Sequence, residues 1–219
     1  MNSFPEFVDK ENTIDGYKVL EKVITAPKRA FKFINTYKYD KHLHILLIIS
    51  GISNAFNKAS QKGMGDDSSL LFILFITIIF GGLFGWITYY FYSALISWTG
   101  KWFNGFAKTD DVLRIFAYAT IPAILGLVFL IIQISIFGNR PFMSDENYTD
   151  TGILTNSIFY ACEYFQFALA IWSLSLLVIG VAEIQKFSIW KAILNVFLPA
   201  IILFAIVVVF AILIMLGTN

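Results

Sequence analysis

Hydrophobic residues in this chain are gathered into long runs that short polar stretches separate. Four runs are long enough to cross a membrane as helices, since a spanning helix needs about twenty apolar residues. A fifth run, at 43–56, is shorter and more polar, and we interpret it as a further span. The pattern predicts an all-α polytopic membrane helix bundle with five transmembrane helices, at 43–56, 69–99, 112–138, 157–184 and 191–216.

The lysines and arginines favour one orientation of these spans. Residues 1–42 hold eight of them, the 100–114 connection three and the last connection two, whereas the two remaining connections hold three together. Because positive residues stay on the cytoplasmic side, the N-terminus is predicted in the cytoplasm and the C-terminus outside. The external 138–156 connection then carries a formal glycosylation sequon at Asn147. The chain divides into a cytoplasmic segment, 1–42, and a transmembrane domain, 43–219.

The N-terminal stretch 25–38 has the composition of a basic amphipathic helix. Pro27 suits the first helical position, and Phe31, Ile34 and Tyr37 recur on one side at three-residue spacing. Four basic residues flank that side: Lys28, Arg29, Lys32 and Lys38. We predict an interfacial helix with its basic residues near anionic lipid and its aromatic rings in the membrane surface. The alternatives are a linker helix and a protein-docking site.

Composition agrees with a membrane protein and limits the chemistry. Hydrophobic residues make up 58% of the chain and its mean hydropathy is +0.71. The formal net charge is only +1, so the basic excess of a nucleic-acid-binding protein is missing. A single cysteine, Cys162, excludes an internal disulfide and a multi-cysteine metal site. His42 and His44 have no further metal-ligating residue nearby, so we predict no catalytic residue, metal or cofactor.

Two acidic residues, Asp110 and Asp111, directly precede the third predicted span, shortly before Arg114. Thr109 can cap the helix, and acidic side chains in a first turn interact favourably with the helix dipole. Asp110 and Arg114 have the spacing of a helical ion pair. We interpret these residues as a helix start with an anchor at the inner leaflet; the alternative is a binding or catalytic role.

A proline inside the third span raises a question of hydrogen bonding. Pro122 leaves the carbonyl group of Tyr118 without its helical partner, and in lipid that group needs another one. Two series of a basic residue, a polar residue and a proline recur at four-residue spacing: Arg114, Tyr118 and Pro122, and Lys191, Asn195 and Pro199. The hypothesis is that the second and third helices and the fourth and fifth helices are related repeats, each with a kink.

Other residues inside the spans indicate packing rather than ion transport. Glu163 and Glu183 are twenty residues apart, roughly 30 Å in a helix, which puts each near one membrane interface. The predicted spans carry no charge near their centres, where ion-coupled carriers usually have one. Gly81 and Gly85 allow a helix to approach closely, whether from the same chain or from a second copy.

Three stretches, in this order, resemble the YIP family of Ypt-interacting (Rab-interacting) membrane proteins, in its bacterial branch: ITAPKRAFKFI, YATIPAILG and LLVIGVAEIQKFSIWKAILNVFLPAII. The resemblance covers about residues 20–216 and implies five transmembrane helices behind a cytoplasmic N-terminal segment. Eukaryotic members are linked to Rab GTPases, vesicle traffic and membrane shaping. Their D-L-Y-G-P signature is missing here, which argues against a Rab partner.

Two functions fit these features. We expect a non-enzymatic integral membrane protein that organises membrane or binds a protein or lipid partner. The alternative is a small permease or lipid-handling carrier with a polar site between kinked helices, beside Tyr118 and Asn195. In both cases the expected location is a bacterial inner (cytoplasmic) membrane, with the lipid bilayer as partner and no nucleic acid.

Overall fold

The structure, a computed structural model, describes residues 18–144 and 152–217, and every regular element in these ranges is helical. This confirms the all-α fold class. The sequon at Asn147 lies outside the described residues. A 3-10 turn, Arg140–Phe142, follows α7. In chain order the helices are α1 (Val19–Thr25), α2 (Pro27–Thr36), α3 (Leu43–Gln61), α4 (Met64–Asp67), α5 (Leu70–Trp102), α6 (Thr109–Ala119), α7 (Ile121–Phe137), α8 (Ile153–Gln185) and α9 (Ile189–Gly217).

Four helical stretches among the described residues are long and apolar enough to cross a membrane. The shortest has 27 residues, about 40 Å of helix, which exceeds the roughly 30 Å of a hydrocarbon core. The four longer predicted spans are therefore confirmed, and α6 and α7 share one of them. The fifth predicted span lies in α3, a helix of 19 residues that is not apolar enough to be counted with the others.

The bundle has two ends that differ in composition. The end that we call the basic end holds α1, α2 and the connections α5–α6 and α8–α9, and the Gln185 side chain links those connections by accepting from the Ala107 N–H at 3.0 Å. The end that we call the far end holds the α3–α5 connection and the 3-10 turn, where the Asn139 side chain donates to the carbonyl of Gly65 at 2.7 Å. Helix α3 runs from one end to the other, beside α5 and α7.

The N-terminal helices are part of the hydrophobic core. Val19 and Val23 of α1 and Phe31 and Ile34 of α2 are fully buried, in one cluster with side chains of α6 and α8. The expectation that the apolar side of α2 dips into the membrane surface therefore needs correction. The reason is that α6 and α8 cover that side of α2 with protein. Phe31 packs so closely on Gly180 of α8 that a Cβ added to Gly180 would lie 3.2 Å from the Phe31 ring.

The span shared by α6 and α7 is interrupted rather than kinked. The chain turns at Thr120, and Pro122 is the second residue of α7. Ala123, in the first turn of α7, has an N–H group with no acceptor in its own helix, and it donates to Ser173 Oγ of α8 at 2.9 Å. A neighbouring helix thus satisfies the backbone group that the break exposes. Pro199, in contrast, lies inside the uninterrupted α9.

Helices α3 and α5 meet at a seam of glycines. Gly81 and Gly85 of α5 lie against Gly51 of α3, and a Cβ on Gly85 would lie 2.2 Å from the Gly51 Cα. Such a contact between backbones has room for no larger residue, and it maximises dispersion attraction along the seam. The structure uses the two predicted small residues for packing within the chain.

Adding a methyl group to Gly85 tests this seam. We expect Gly85→Ala to lower the free energy of unfolding by about 1–3 kcal/mol, because the two helices must separate to admit the new Cβ. Gly82→Ala is the matched control, since a Cβ there would meet no atom closer than 3.7 Å and alanine favours a helix over glycine. Thermal unfolding of both variants in one detergent measures the difference, and equal unfolding temperatures would contradict a tight seam.

Candidate functional site

Helix α3 carries a row of polar side chains along one side. Positions three or four residues apart lie on the same face of a helix. Gly51, Ile52 and Ala55 of α3 pack on α5, whereas most of the polar row borders α7 and α8. The row consists of Ser50, Ser53, Asn54, Asn57, Ser60 and Gln61.

Four residues of this row, Ser53, Asn57, Ser60 and Gln61, form one wall of a groove of about 290 Å³. The floor is α7, and the second wall is the first half of α8. Because α3 and α8 each pack on α7 and leave a gap between them, the described helices leave the groove open on the side opposite α7. The floor residues are Ala123, Gly126, Leu127 and Leu130, and the α8 wall residues are Glu163, Gln166, Phe167 and Ala170.

A buried glutamine orders the polar residues of the α8 wall. Gln133 of α7 is fully buried, and its Nε2 donates to Glu163 Oε1 at 2.8 Å and to the carbonyl of Phe159 at 3.3 Å. Its Oε1 accepts from Gln166 Nε2 at 2.7 Å. Both the amide nitrogen and the amide oxygen of Gln133 thus have hydrogen-bond partners. The contacts hold Glu163 and Gln166 at the edge of the groove, where one carboxylate oxygen and one amide oxygen remain available.

The groove is closed towards the basic end. The hydroxyl groups of Ser50 and Thr120 are hydrogen-bonded at 2.6 Å, and the Tyr89 hydroxyl donates to the Ser50 carbonyl at 3.0 Å. These contacts join α3, α5 and the break between α6 and α7. A polar molecule in the groove therefore meets a hydrogen-bonded wall before it reaches the core at the basic end.

Towards the far end the groove continues into a recess of about 250 Å³, which Glu163 also lines. Arg140 forms part of this recess and is mostly buried. Its guanidinium group lies 4.3 Å from the centroid of the Phe159 ring, and its Nη2 donates to Asn156 Oδ1 at 2.8 Å. The Ser60 hydroxyl donates to the carbonyl of Pro141 at 2.6 Å and fixes α3 to the 3-10 turn. The recess thus places a fixed positive charge near the mouth of the groove.

Asp111 and Arg114, two of the predicted site residues, connect α6 to the N-terminal segment. Asp111 forms an ion pair with Lys38 and another with Arg114 at 2.9 Å. Arg114 also pairs with Asp40 at 2.6 Å. The predicted pair of Asp110 with Arg114 is replaced by these contacts, and Asp110 is exposed. The charges serve to dock the segment that precedes α3.

Helix α6 also starts differently from the expectation. Thr109 is its first helical residue rather than its cap. The Asp111 side chain accepts from the Lys108 N–H at 3.3 Å instead, so one acidic residue both caps the helix and pairs with two cations.

Tyr118 and Asn195 are fully buried, and neither residue lines the groove. Their hydrogen-bond partners are different. The Tyr118 hydroxyl lies 3.4 Å from the Tyr39 carbonyl and 3.4 Å from the His42 N–H, at the start of α3. Asn195 Nδ2 donates to Thr99 Oγ1 at 2.8 Å and to the carbonyl of Ile96 at 3.0 Å. Both polar side chains hold helices together.

The remaining predicted site residues are dispersed. Glu183 pairs with Lys186 at 3.1 Å within α8 and its short C-terminal turn. Lys191 is exposed at the start of α9. Pro122 and Pro199 are both buried, one in the first turn of a helix and the other inside one. The repeat hypothesis stays a prediction, and the two proline-containing series have different backbone settings.

Sequence reasoning missed the groove. The strongest signal for it in the sequence is the spacing of serine and asparagine residues in α3. Those residues also lower the hydropathy of the predicted span, and only this second effect entered the prediction. Glu163 was recognised only by its position along α8. The facing of α3 and α8 across α7 has no signature in the sequence, because it depends on how three helices pack.

Neutralising Asp111 and its neighbour Asp110 separates ion pairing from net charge. We expect Asp111→Asn to lower the free energy of unfolding by about 1–2 kcal/mol and to expose α1 and α2 to protease, because two cations lose a shielded partner. Asp110→Asn should change it by less than about 0.5 kcal/mol, as exposed substitutions usually do. Limited proteolysis and thermal unfolding measure both effects. Equal sensitivity of the two variants would contradict the docking role of Asp111.

Comparison with known proteins supports the resemblance seen in the sequence. A family model described as Yip1 domain matches residues 22–211, from α1 into α9. No curated protein and no solved structure matches the chain. The matched region includes α5 to α8 and most of α9, together with the groove. The chain belongs to the Yip1 domain family of multi-pass membrane proteins.

Proposed function

We propose that this protein is a non-enzymatic membrane protein that organises its membrane by holding the head group of a lipid in the groove between α3 and α8. The observation that carries the proposal is a groove of about 290 Å³ that polar side chains of α3 and α8 line from two sides, with α7 between them. Polar groups at membrane depth need partners, because hydrocarbon offers none. A lipid head group is the polar partner that a lateral opening admits.

The proposal includes α3 as a fifth transmembrane helix. Its 19 residues give about 28 Å, close to the thickness of a hydrocarbon core. Its low hydropathy comes from the polar row, which faces the groove instead of the acyl chains. A helix that turns polar residues towards protein can span a membrane without a continuous apolar surface. With α3 crossing, the segments richest in lysine and arginine lie on the cytoplasmic side, and the C-terminus lies outside.

The basic surface of α2 complements this arrangement. Lys28, Arg29 and Lys32 are exposed while the apolar side of α2 is buried in the core. Cations held next to the cytoplasmic leaflet attract anionic lipids, at about 1 kcal/mol for each residue close to the surface. We therefore include anionic lipid as a partner of the N-terminal helices, through charge rather than insertion.

A permease or lipid carrier is the second candidate, and the geometry favours binding over passage. The groove ends at the hydrogen bonds of Ser50 with Thr120 and Tyr89. The kinked-helix site expected beside Tyr118 and Asn195 is filled by contacts within the protein. A ligand thus has a place to reside in the half of the bundle near the far end, and the side chains of Ser50, Thr120 and Tyr89 stand between the groove and the other half.

Filling the groove tests lipid binding directly. We expect Ser53→Leu and Asn57→Leu to weaken retention of co-purified phospholipid about tenfold, because leucine occupies the groove and removes a hydrogen-bonding partner. Ser175→Leu is the matched control, since Ser175 is an exposed residue of α8 outside the groove. Native mass spectrometry of protein released from nanodiscs counts the retained lipids. Equal retention by Ser53→Leu and Ser175→Leu would contradict the proposal.

The number of spans can be read from two cysteine positions in a Cys162→Ala background. Lys41 and Lys62 lie at the two ends of α3, so we expect a membrane-impermeant maleimide to label Lys41→Cys and Lys62→Cys from opposite sides of the membrane. Asn104→Cys, in the α5–α6 connection, should label from the same side as Lys41→Cys. Inverted and right-side-out vesicles give the comparison. Labelling of Lys41→Cys and Lys62→Cys from one side would exclude α3 as a span.

A further inference from the structure

We propose that the face of the bundle formed by α5 and α9 is covered by a thicker layer of hydrocarbon than the rest of the bundle, and that it gathers lipids with long acyl chains. The two helices pack side by side, and the Tyr92 hydroxyl of α5 donates to the Val196 carbonyl of α9 at 2.9 Å. The inference concerns a second surface and goes beyond head-group binding in the groove.

Exposed apolar side chains extend along α5 and α9 for more than the thickness of a hydrocarbon core. On α5 they run from Leu71 to Trp102, and on α9 they run from Ile189 to Leu213. At about 1.5 Å per residue, these stretches are about 46 Å and about 36 Å long, against roughly 30 Å for a hydrocarbon core. The two helices therefore carry an apolar surface that an average bilayer does not cover.

The three helices that form the groove match an average bilayer instead. Helix α3 has 19 residues and α7 has 17 residues, which correspond to about 28 Å and about 26 Å. On α8 the exposed apolar side chains run from Ile153 to Leu174, over about 32 Å. Beyond Leu174 most residues of α8 are buried. The exposed apolar surface is thus taller on α5 and α9 than on the groove helices.

Tilting the whole bundle does not remove this difference. Helix α3 lies along α5, from the hydrogen bond of Tyr89 with the Ser50 carbonyl to the cluster that contains Phe56 and Ile73, so the two helices tilt together. A tilt of about 50° would fit α5 into an average bilayer, which is beyond the range of about 0–40° for membrane helices, and α3 would then cross only about 18 Å. Hydrocarbon that is locally thicker beside α5 and α9 fits both sides of the bundle.

Tryptophan and lysine side chains mark the limit of this tall face at the basic end. Trp98 and Trp102 of α5 are exposed, and their ring centroids are 4.7 Å apart. Trp190 at the start of α9 is exposed as well, and so are Lys101 and Lys191. Tryptophan prefers the interface between hydrocarbon and head groups, and lysine reaches from that interface into water. The composition therefore puts the interface at the last turns of α5 and the first turn of α9.

Acyl chains are the occupant that this surface indicates. It continues the apolar segments of α5 and α9 that are long enough to cross a membrane. Between Lys191 and Gly217, Asn195 is the single polar residue, and its side chain points inwards and donates to Thr99 of α5. A surface that recognises a protein usually combines apolar anchors with a polar rim, and α9 has no such rim along this stretch.

Quenching of tryptophan fluorescence by brominated lipid tests this surface locally. The reporter is Trp86, an exposed residue of α5, in a variant whose other four tryptophans are replaced by phenylalanine. Liposomes contain equal amounts of dimyristoleoyl and dierucoyl phosphatidylcholine, and either lipid is brominated. We expect the longer dierucoyl lipid to be enriched about threefold at Trp86, because the shorter lipid leaves apolar side chains uncovered. A variant that retains only Trp172, on α8, should report nearly equal amounts.

Charges at the boundary provide the matched comparison. In the Trp86 reporter, Trp98→Phe and Trp102→Phe keep both positions apolar. Replacing them by Trp98→Lys and Trp102→Lys ends the exposed large apolar side chains of α5 at Phe91, about 30 Å from Leu71. We expect the enrichment at Trp86 to fall to nearly equal amounts of the two lipids, because the shortened surface matches an average bilayer.

Each contrary result has a distinct meaning. Equal quenching of Trp86 by the two brominated lipids, or the same preference at Trp172, would overturn the inference. So would an enrichment that Trp98→Lys and Trp102→Lys leave unchanged. Protection of Trp86 from both lipids, with dimers in native mass spectrometry, would show that a second copy of the chain covers this face and would overturn it too. Both lipids have the same head group, so these results leave head-group binding in the groove to its own test.

Discussion

The structure depends on one constraint, which is that hydrocarbon cannot satisfy a polar group. The break before Pro122 exposes an N–H group, and Ser173 of a neighbouring helix accepts from it. The buried Gln133 is satisfied by two residues of α8 and by a backbone carbonyl. In the polar row of α3, Ser50 and Ser60 have partners within the protein, whereas Ser53, Asn57 and Gln61 border the groove. The groove, rather than the most buried polar residues, is therefore the candidate site.

Much of the fold could be predicted from the sequence because lipid imposes a simple rule on length and hydropathy. The four long spans follow from that rule, and so does the helical fold class. The environment of α2 did not follow, because an amphipathic pattern has the same appearance whether the apolar side meets lipid or protein. Phe31 and Ile34 are covered by α6 and α8, and nothing in residues 25–38 alone distinguishes that outcome from insertion into the membrane.

The candidate site was less predictable than the fold. Tyr118 and Asn195 were predicted to form a site because each is polar within an apolar run, yet both side chains hold helices together. The glycines at 81 and 85 were assigned to close packing, and their partner, Gly51, lies in the helix with the weakest hydropathy. The groove combines residues of three helices that are distant in the sequence. Only their packing shows that the polar side of α3 and the acid of α8 border one space.

The turn at Thr120 lies between the two hydrophobic clusters of the bundle. The hydrophobic core at the basic end contains α1, α2, α6 and the second half of α8, while a separate cluster at the far end joins Phe56, Ile73, Leu130 and Phe142. Helix α7, the floor of the groove, is joined to α6 through a residue outside any helix. The first turn of α7 packs on the core at the basic end through Ile121 and Ile124, and its second half packs on the far-end cluster through Leu127 and Leu130. The floor of the groove is therefore fixed at both ends, each by a different hydrophobic cluster.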